Sequence, residues 1–123
     1  MHELSIMASA LDLALAQATK AGALRLHAIR LRIGALSGVV PEALEFAFEG
    51  LTPGTLAEGA RLIIEDVPAR FWCGPCGAEF HSEDLIAECP NCHQPSGELR
   101  AGRELEIVSI EVDCDERNPS PAP

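Results

Sequence analysis

Four cysteines stand in two short pairs, CGPC (Cys73 and Cys76) and CPNC (Cys89 and Cys92), with 12 residues between the pairs. Each C-x-x-C lets two thiolates grip one ion from a tight turn, and Gly74, Pro75, Gly77, Pro90 and Asn91 are residues that shape such turns. Two such turns brought face to face close a tetrahedral four-thiolate cage. Four sulfurs leave no position open for water, so the expected ion is Zn²⁺ in a structural role. An iron–sulfur cluster would use the same ligands. A redox C-x-x-C needs a thioredoxin-like fold and a lone motif, and neither is present. CPNCH (Cys89 to His93) matches a c-type haem attachment pattern, but haem would leave the first pair idle. His81 and His93 read as surface imidazoles beside the cage; the sharper alternative is that one exchanges with a thiolate or tunes the site.

The second candidate for chemistry is the start of the chain, MHELSI. The amine of Met1 and the amide of His2 close a five-membered chelate ring on a metal. That amide and the His2 imidazole Nδ1 close a six-membered one. Hard nitrogens in one plane suit Ni(II) and Cu(II), whereas zinc lacks that preference. Glu3 adds a carboxylate oxygen or a further amide. The first N–H groups of a helix have no partner within it, so backbone here is available to a ligand. The competing reading is a solvated helix start with no ligand.

Composition narrows the rest. Net charge is −10, with 19 acidic and 9 basic residues, and Lys20 is the only lysine. Binding to a phosphate backbone needs clustered cations, and only the local group Arg25, Arg30 and Arg32 offers any. No nucleic-acid partner is expected. No apolar run is long enough to span a bilayer and no leader is recognisable, so the expected location is cytoplasmic and no membrane contact is foreseen. In a reducing compartment, paired cysteines point to metal rather than disulfides. Cys114 is left over in an acidic stretch and reads as an exposed thiol without a role. No nucleophile–base constellation or phosphate-cradling glycine loop is present, so the chain is not expected to be an enzyme.

The elements that must position these groups follow from periodicity. Leu4, Met7, Leu11, Leu15 and Ala18 recur at helical spacing over residues 4–21, and Gly22 supplies the stop. LRLHAIRLRIG alternates as a half-buried strand whose phase slips at Ala28, with His27 on the polar side. Pro41 opens a second helix carrying Leu44, Phe46, Ala47 and Phe48, closed by Gly50. RLIIEDVP and ELEIVSIEVD are two further strands, expected to pair with each other across the cysteine segment between them. The fold expected is α+β: two helices packed on a three-stranded sheet, with an inserted zinc-ribbon-like module. Residues 1–68 and 101–113 form one discontinuous α/β domain, residues 69–100 the cysteine domain, and 114–123 a disordered tail.

MHELSI, RIGALSGVVPEALEFAFE and the two C-x-x-C pairs, the second followed by His, occur in the order seen in the HypA/HybF family of hydrogenase-maturation nickel metallochaperones, which the chain resembles over residues 1 to about 113. The resemblance implies a nickel-binding domain with an inserted zinc domain. It implies nickel ligation by His2, with Met1 and Glu3 contributing, and zinc ligation by Cys73, Cys76, Cys89 and Cys92. It further implies delivery of Ni²⁺, with a maturation GTPase, to the large subunit of a nickel–iron hydrogenase, and in some members service to urease maturation factors. The chain is expected to act as a monomer or homodimer. The alternative is a zinc-ribbon scaffold that docks maturation partners without carrying nickel. A zinc hydrolase is a third reading, excluded if four sulfurs hold the ion.

Overall fold

A computed structural model describes residues 2–83 and 87–114. Met1, residues 84–86 and the tail from 115 onward, expected to be disordered, lie outside the described residues.

Helix α1 spans Glu3–Lys20. Met7, Leu11, Ala14 and Ala18 form its buried stripe, one face of a 3.6-residue period. His2 is the N-cap, its carbonyl accepting from the Ile6 N–H at 3.0 Å. Gly22 adopts φ +74° and ends the helix, donating to the Thr19 carbonyl at 3.0 Å; that left-handed conformation suits glycine. Helix α2, Pro41–Leu51, has Pro in its first turn and packs against α1, burying Leu44, Ala47 and Phe48. Gly50 lies inside α2, which closes one residue later. Two expected core residues are outside: Leu4 is 62% exposed and Phe46 is 80% exposed. Periodicity identifies an apolar face but not what covers it.

Three long strands form one sheet: β1 (Ala23–Gly34), β2 (Arg61–Val67) and β8 (Leu105–Cys114), in the order β2-β1-β8. The expected pairing of β2 with β8 is therefore corrected, because β1 lies between them. The reason is burial. β1 carries Leu26, Ala28, Ile29, Leu31 and Ile33 in the core, whereas neither β2 nor β8 has a fully buried residue. The consecutive buried pair Ala28 and Ile29 is the phase slip, accommodated within a continuous strand; Leu24, before it, is exposed. Cys114 is the last residue of β8 rather than part of a tail, and its thiol faces the Ala21 carbonyl at 3.8 Å.

The described residues divide into two compact units. One holds residues 2–31, 39–64 and 107–114; the other holds Arg32–Gly38 and Glu65–Glu106. The second unit thus extends beyond 69–100 on both sides and takes in the last three residues of β1 with the turn that follows them. Arg32 anchors that segment: its guanidinium donates to Glu65 at 3.1 Å and Glu106 at 3.0 Å. These two carboxylates raise its pKa, Glu65 most. All three side chains are partly exposed, so the trio adds little stability.

The remaining strands belong to the second unit: β3 (Arg70–Cys73), β4 (Ala78–His81), β5 (Ala87–Glu88), β6 (Pro95–Ser96) and β7 (Leu99–Ala101). Sheet order is β4-β3-β7, with β5 and β6 forming a separate pair. The core here is small: Ala69, Phe71, Phe80 and Ala87 with Cys73 and Cys89, flanked by Leu36 and Leu99. Phe71 and Phe80 stack with ring centroids 5.8 Å apart.

Candidate metal centre

Each cysteine pair sits at the tip of its own hairpin. β3 and β4 close on the pair Cys73 and Ala78 across the first C-x-x-C. β5 and β6, paired as Ala87 with Ser96 and Glu88 with Pro95, present the second. The two tips share one internal construction. The Gly77 N–H donates to the Cys73 carbonyl at 2.8 Å, and the His93 N–H to the Cys89 carbonyl at 2.9 Å. Gly77 has φ +61° and His93 has φ +63°. Both knuckles therefore end on a left-handed residue just after their second cysteine. Glycine takes that conformation freely, and other residues do so at a cost. This equivalence was invisible in the sequence, where one position is Gly and the other His.

The four sulfurs converge. All lie within 4.8 Å of one another, with Cys73 Sγ to Cys92 Sγ at 3.4 Å and Cys76 Sγ to Cys89 Sγ at 3.9 Å. A tetrahedron of thiolates about 2.3 Å from a central ion has edges of about 3.8 Å, so the residues fit such an ion. Cys73 and Cys89 are buried and Cys76 and Cys92 half-buried. Asn91 Nδ2 donates to Cys76 Sγ at 3.3 Å, the kind of outer contact that orients a ligand. Among the described residues, no other group of three or more His, Cys, Asp or Glu is placed to share an ion.

The thiols differ from one another. At Cys73 the Cys76 backbone N–H favours the thiolate, but burial and hydrogen bonds among the neighbouring sulfurs outweigh it and push the pKa up to about 12. At Cys89 the backbone N–H groups of Cys92 and Asn91 win over burial and bring it down to about 7. Cys89 therefore has more thiolate character than Cys73 before an ion enters, and ligation requires the thiolate.

His93 is accounted for without ligation. Its Nδ1 lies 3.3 Å from Glu88 Oε1 and the side chain is largely exposed. His81 is exposed at the end of β4, paired in register with Arg70. Replacing His93 by glycine is expected to keep the fold and raise the melting stability by up to ~1 kcal/mol through relief of the left-handed backbone. Urea titration checks this; a loss of metal content in His93→Gly would instead restore the histidine as a ligand.

At the other candidate, His2 is exposed and its side chain makes no capping bond to α1. Glu3 follows as the first helical residue. Its carboxylate accepts from the Val40 N–H at 3.3 Å. Its own backbone N–H is the main influence holding its pKa below the ordinary value; the Val40 bond and the nearby chain-terminal and His2 charges assist, against partial desolvation. That bond uses Oε2 of the Glu3 carboxylate and leaves Oε1 free to meet a ligand. Met1 lies outside the described residues. Two of the three arginines of the basic group are engaged within the chain: Arg25 donates to the Glu58 carbonyl at 2.9 Å and Arg32 is held by two carboxylates. His27 faces Asp113 at 3.5 Å. No described helix is long and apolar enough to cross a membrane.

Comparison with known proteins gives a consistent picture. Residues 1–112 match the family model described as hydrogenase/urease nickel incorporation, metallochaperone, HypA. A hydrogenase maturation factor HypA from Picosynechococcus is 47% identical over 112 residues, covering 91% of this chain and 99% of the relative. One of the same description from Acidithiobacillus ferrooxidans is 42% identical over 113 residues, covering 92% of this chain and 100% of the relative. The solution structure of the Ni metallochaperone HypA from Helicobacter pylori superposes with a TM-score of 0.64 at 26% identity, covering 94% of this chain and 100% of that one.

Proposed function

The chain belongs to the HypA family of hydrogenase and urease nickel-incorporation metallochaperones, and we propose that it carries Ni²⁺ at its N-terminus while Cys73, Cys76, Cys89 and Cys92 hold a structural Zn²⁺. In this reading Ni²⁺ is cargo. It is passed, with a maturation GTPase, to the large subunit of a nickel–iron hydrogenase in the cytoplasm, without catalysis by the chain itself. The donors are Met1, His2 and Glu3. Two functional domains follow, one for each metal, approximated by 1–68 with 101–113 and by 69–100.

The observation that carries the reading is the exposed His2 at the head of α1, its side chain making no capping bond, in a chain that matches this family almost end to end. A carrier needs a site that loads and releases. Solvent-accessible nitrogen donors do both, because protons compete with the metal for imidazole and amide, and affinity falls as pH drops. A closed four-sulfur cage does the opposite and stays filled. Donor type keeps the metals apart: planar nitrogens favour Ni(II), and tetrahedral thiolates favour zinc.

The test is a nickel titration of the untagged protein, of His2→Ala and of a variant extended by several residues before Met1. Disturbing a ligand's outer partners typically costs about 10–100-fold in metal affinity. Loss of the imidazole or of the free amine is therefore expected to weaken nickel binding by more than ~10-fold. Equal binding by all three proteins rejects the terminal site and leaves the zinc scaffold as the function.

A further inference from the structure

Phe46 is the most exposed large apolar side chain among the described residues, at 80%, and it is not isolated. Together with Leu4 and Leu51 it walls a groove of about 490 Å³ between the start of α1 and the face of α2 carrying Ala43, Ala47 and Gly50. The three small residues recur at three- and four-residue spacing, which leaves room along one side of the helix for something to lie against it. Glu3 lines the same groove. An aromatic wall beside small residues is the anatomy of an interface anchor, and a phenylalanine this exposed beside other accessible apolar side chains needs an explanation.

Charge selects the occupant. Glu42, Glu45 and Glu49 are all exposed on α2, which has no basic residue in its last turn. The chain as a whole is at −10. A second copy would bring the same carboxylates against themselves, and an anionic membrane surface would be repelled. We propose that this groove docks a basic amphipathic helical segment of a partner protein, whose apolar side chains cover Phe46 and Leu4 while its Lys and Arg residues meet Glu42, Glu45 and Glu49. This is helix-in-groove recognition, with Glu3 in the groove and the exposed carboxylates elsewhere on α2 supplying orientation and on-rate. Given the nickel-carrier reading, on which this part rests, the segment lies against Glu3, the residue after His2. Partner binding and nickel transfer then take place at the same end of the molecule.

The experiment uses the full-length protein without added nickel, followed by amide chemical shifts. The probe is an 18-residue peptide of leucine and lysine in helical register; its leucine–glutamate counterpart and phosphatidylglycerol vesicles are the comparisons. The lysine peptide is expected to shift residues 3–4 and 43–51. Its affinity is expected to fall at least tenfold in Phe46→Ser and in Glu45→Lys/Glu49→Lys, and to be unchanged in Leu13→Ser, which alters an exposed leucine that does not line the groove. Both peptide comparisons use proteins whose amide spectra show an intact fold, which surface changes of this kind preserve. Equal peptide binding by Phe46→Ser and Leu13→Ser overturns the proposal. So does a shift of residues 43–51 with protein concentration alone, which would assign the groove to a second copy, and so does preferential binding of the vesicles. Nickel titration of Phe46→Ser, expected to match wild type, keeps failure of docking separate from failure of the carrier site.

Discussion

Removing the metal from the four-sulfur site is expected to unfold residues 65–106 while α1 and α2 stay folded. The magnitudes decide this. Structural zinc contributes on the order of 10–16 kcal/mol in small zinc-binding units. A whole domain is stable by only about 5–15 kcal/mol. The apolar core of this unit rests on Phe71, Phe80, Ala69 and Ala87, and its remaining two buried members are ligands themselves. Two buried phenylalanines at about 1.5–3 kcal/mol each cannot replace the ion. Trp72, the only tryptophan, reports the event directly. It lies in β3 with the Arg100 guanidinium 4.7 Å from its ring. Chelation, or Cys73→Ser, is expected to red-shift its emission and release the amide protection of β3 and β4. The far-UV helical signal of Glu3–Lys20 and Pro41–Leu51 is expected to persist. Retention of native Trp72 emission in protein shown by elemental analysis to hold no metal would refute the structural role.

The second large effect is expected from Gly34→Ala. A Cβ at Gly34 would stand 2.1 Å from both the carbonyl carbon and the oxygen of Gly102. Gly102 has φ +128°, and a Cβ there would meet Ala69 Cα at 2.8 Å. Three backbones are thus stacked with no room for side chains. The stack is tied by hydrogen bonds from Gly34 N–H to the Glu104 carbonyl at 2.8 Å and from Leu36 N–H to the Gly102 carbonyl at 2.7 Å. Neither neighbour is a flexible side chain that can swing aside, so the substitution is expected to cost about 3 kcal/mol or more. Gly50→Ala is the control. Its Cβ would meet nothing within 4 Å, and a helical Gly→Ala gains about 0.5–1 kcal/mol. Urea denaturation of both variants should give opposite signs. Equal and small changes would mean that the backbone at Gly34 yields more easily than its contacts imply.

Much of the architecture was legible in residue order. The helical periods, the Gly22 stop, the opening Pro41 and the alternation of β1 and β8 all express local rules, and local rules are what a sequence displays. The convergence of the four cysteines was legible for the same reason, since C-x-x-C spacing is itself a geometric statement. Strand order was not. Hydropathy tells which strand is buried but not which neighbours it takes, and β1 came to lie between two strands expected to touch. The left-handed place of His93 was hidden because knuckle geometry, not residue type, dictates it. Leu36 was hidden because its packing on the cysteine core is a tertiary fact. Phe46 has the spacing of a core residue, yet no element among the described residues covers it.

The membership of Arg32–Gly38 in the cysteine-bearing unit bears on how this protein could have been assembled by recombination. The polypeptide passes between the two units at four places: after Leu31, Gly38, Ile64 and Glu106. Cloning residues 69–100 alone would transfer the four clustered sulfurs but leave behind Leu36, Gly34 and Gly102. Such a cassette would capture an ion on a looser frame, and affinities measured on it would understate those of the intact polypeptide. The two units are therefore interleaved along the gene, and the cysteine-bearing one cannot be cut out as a single continuous stretch.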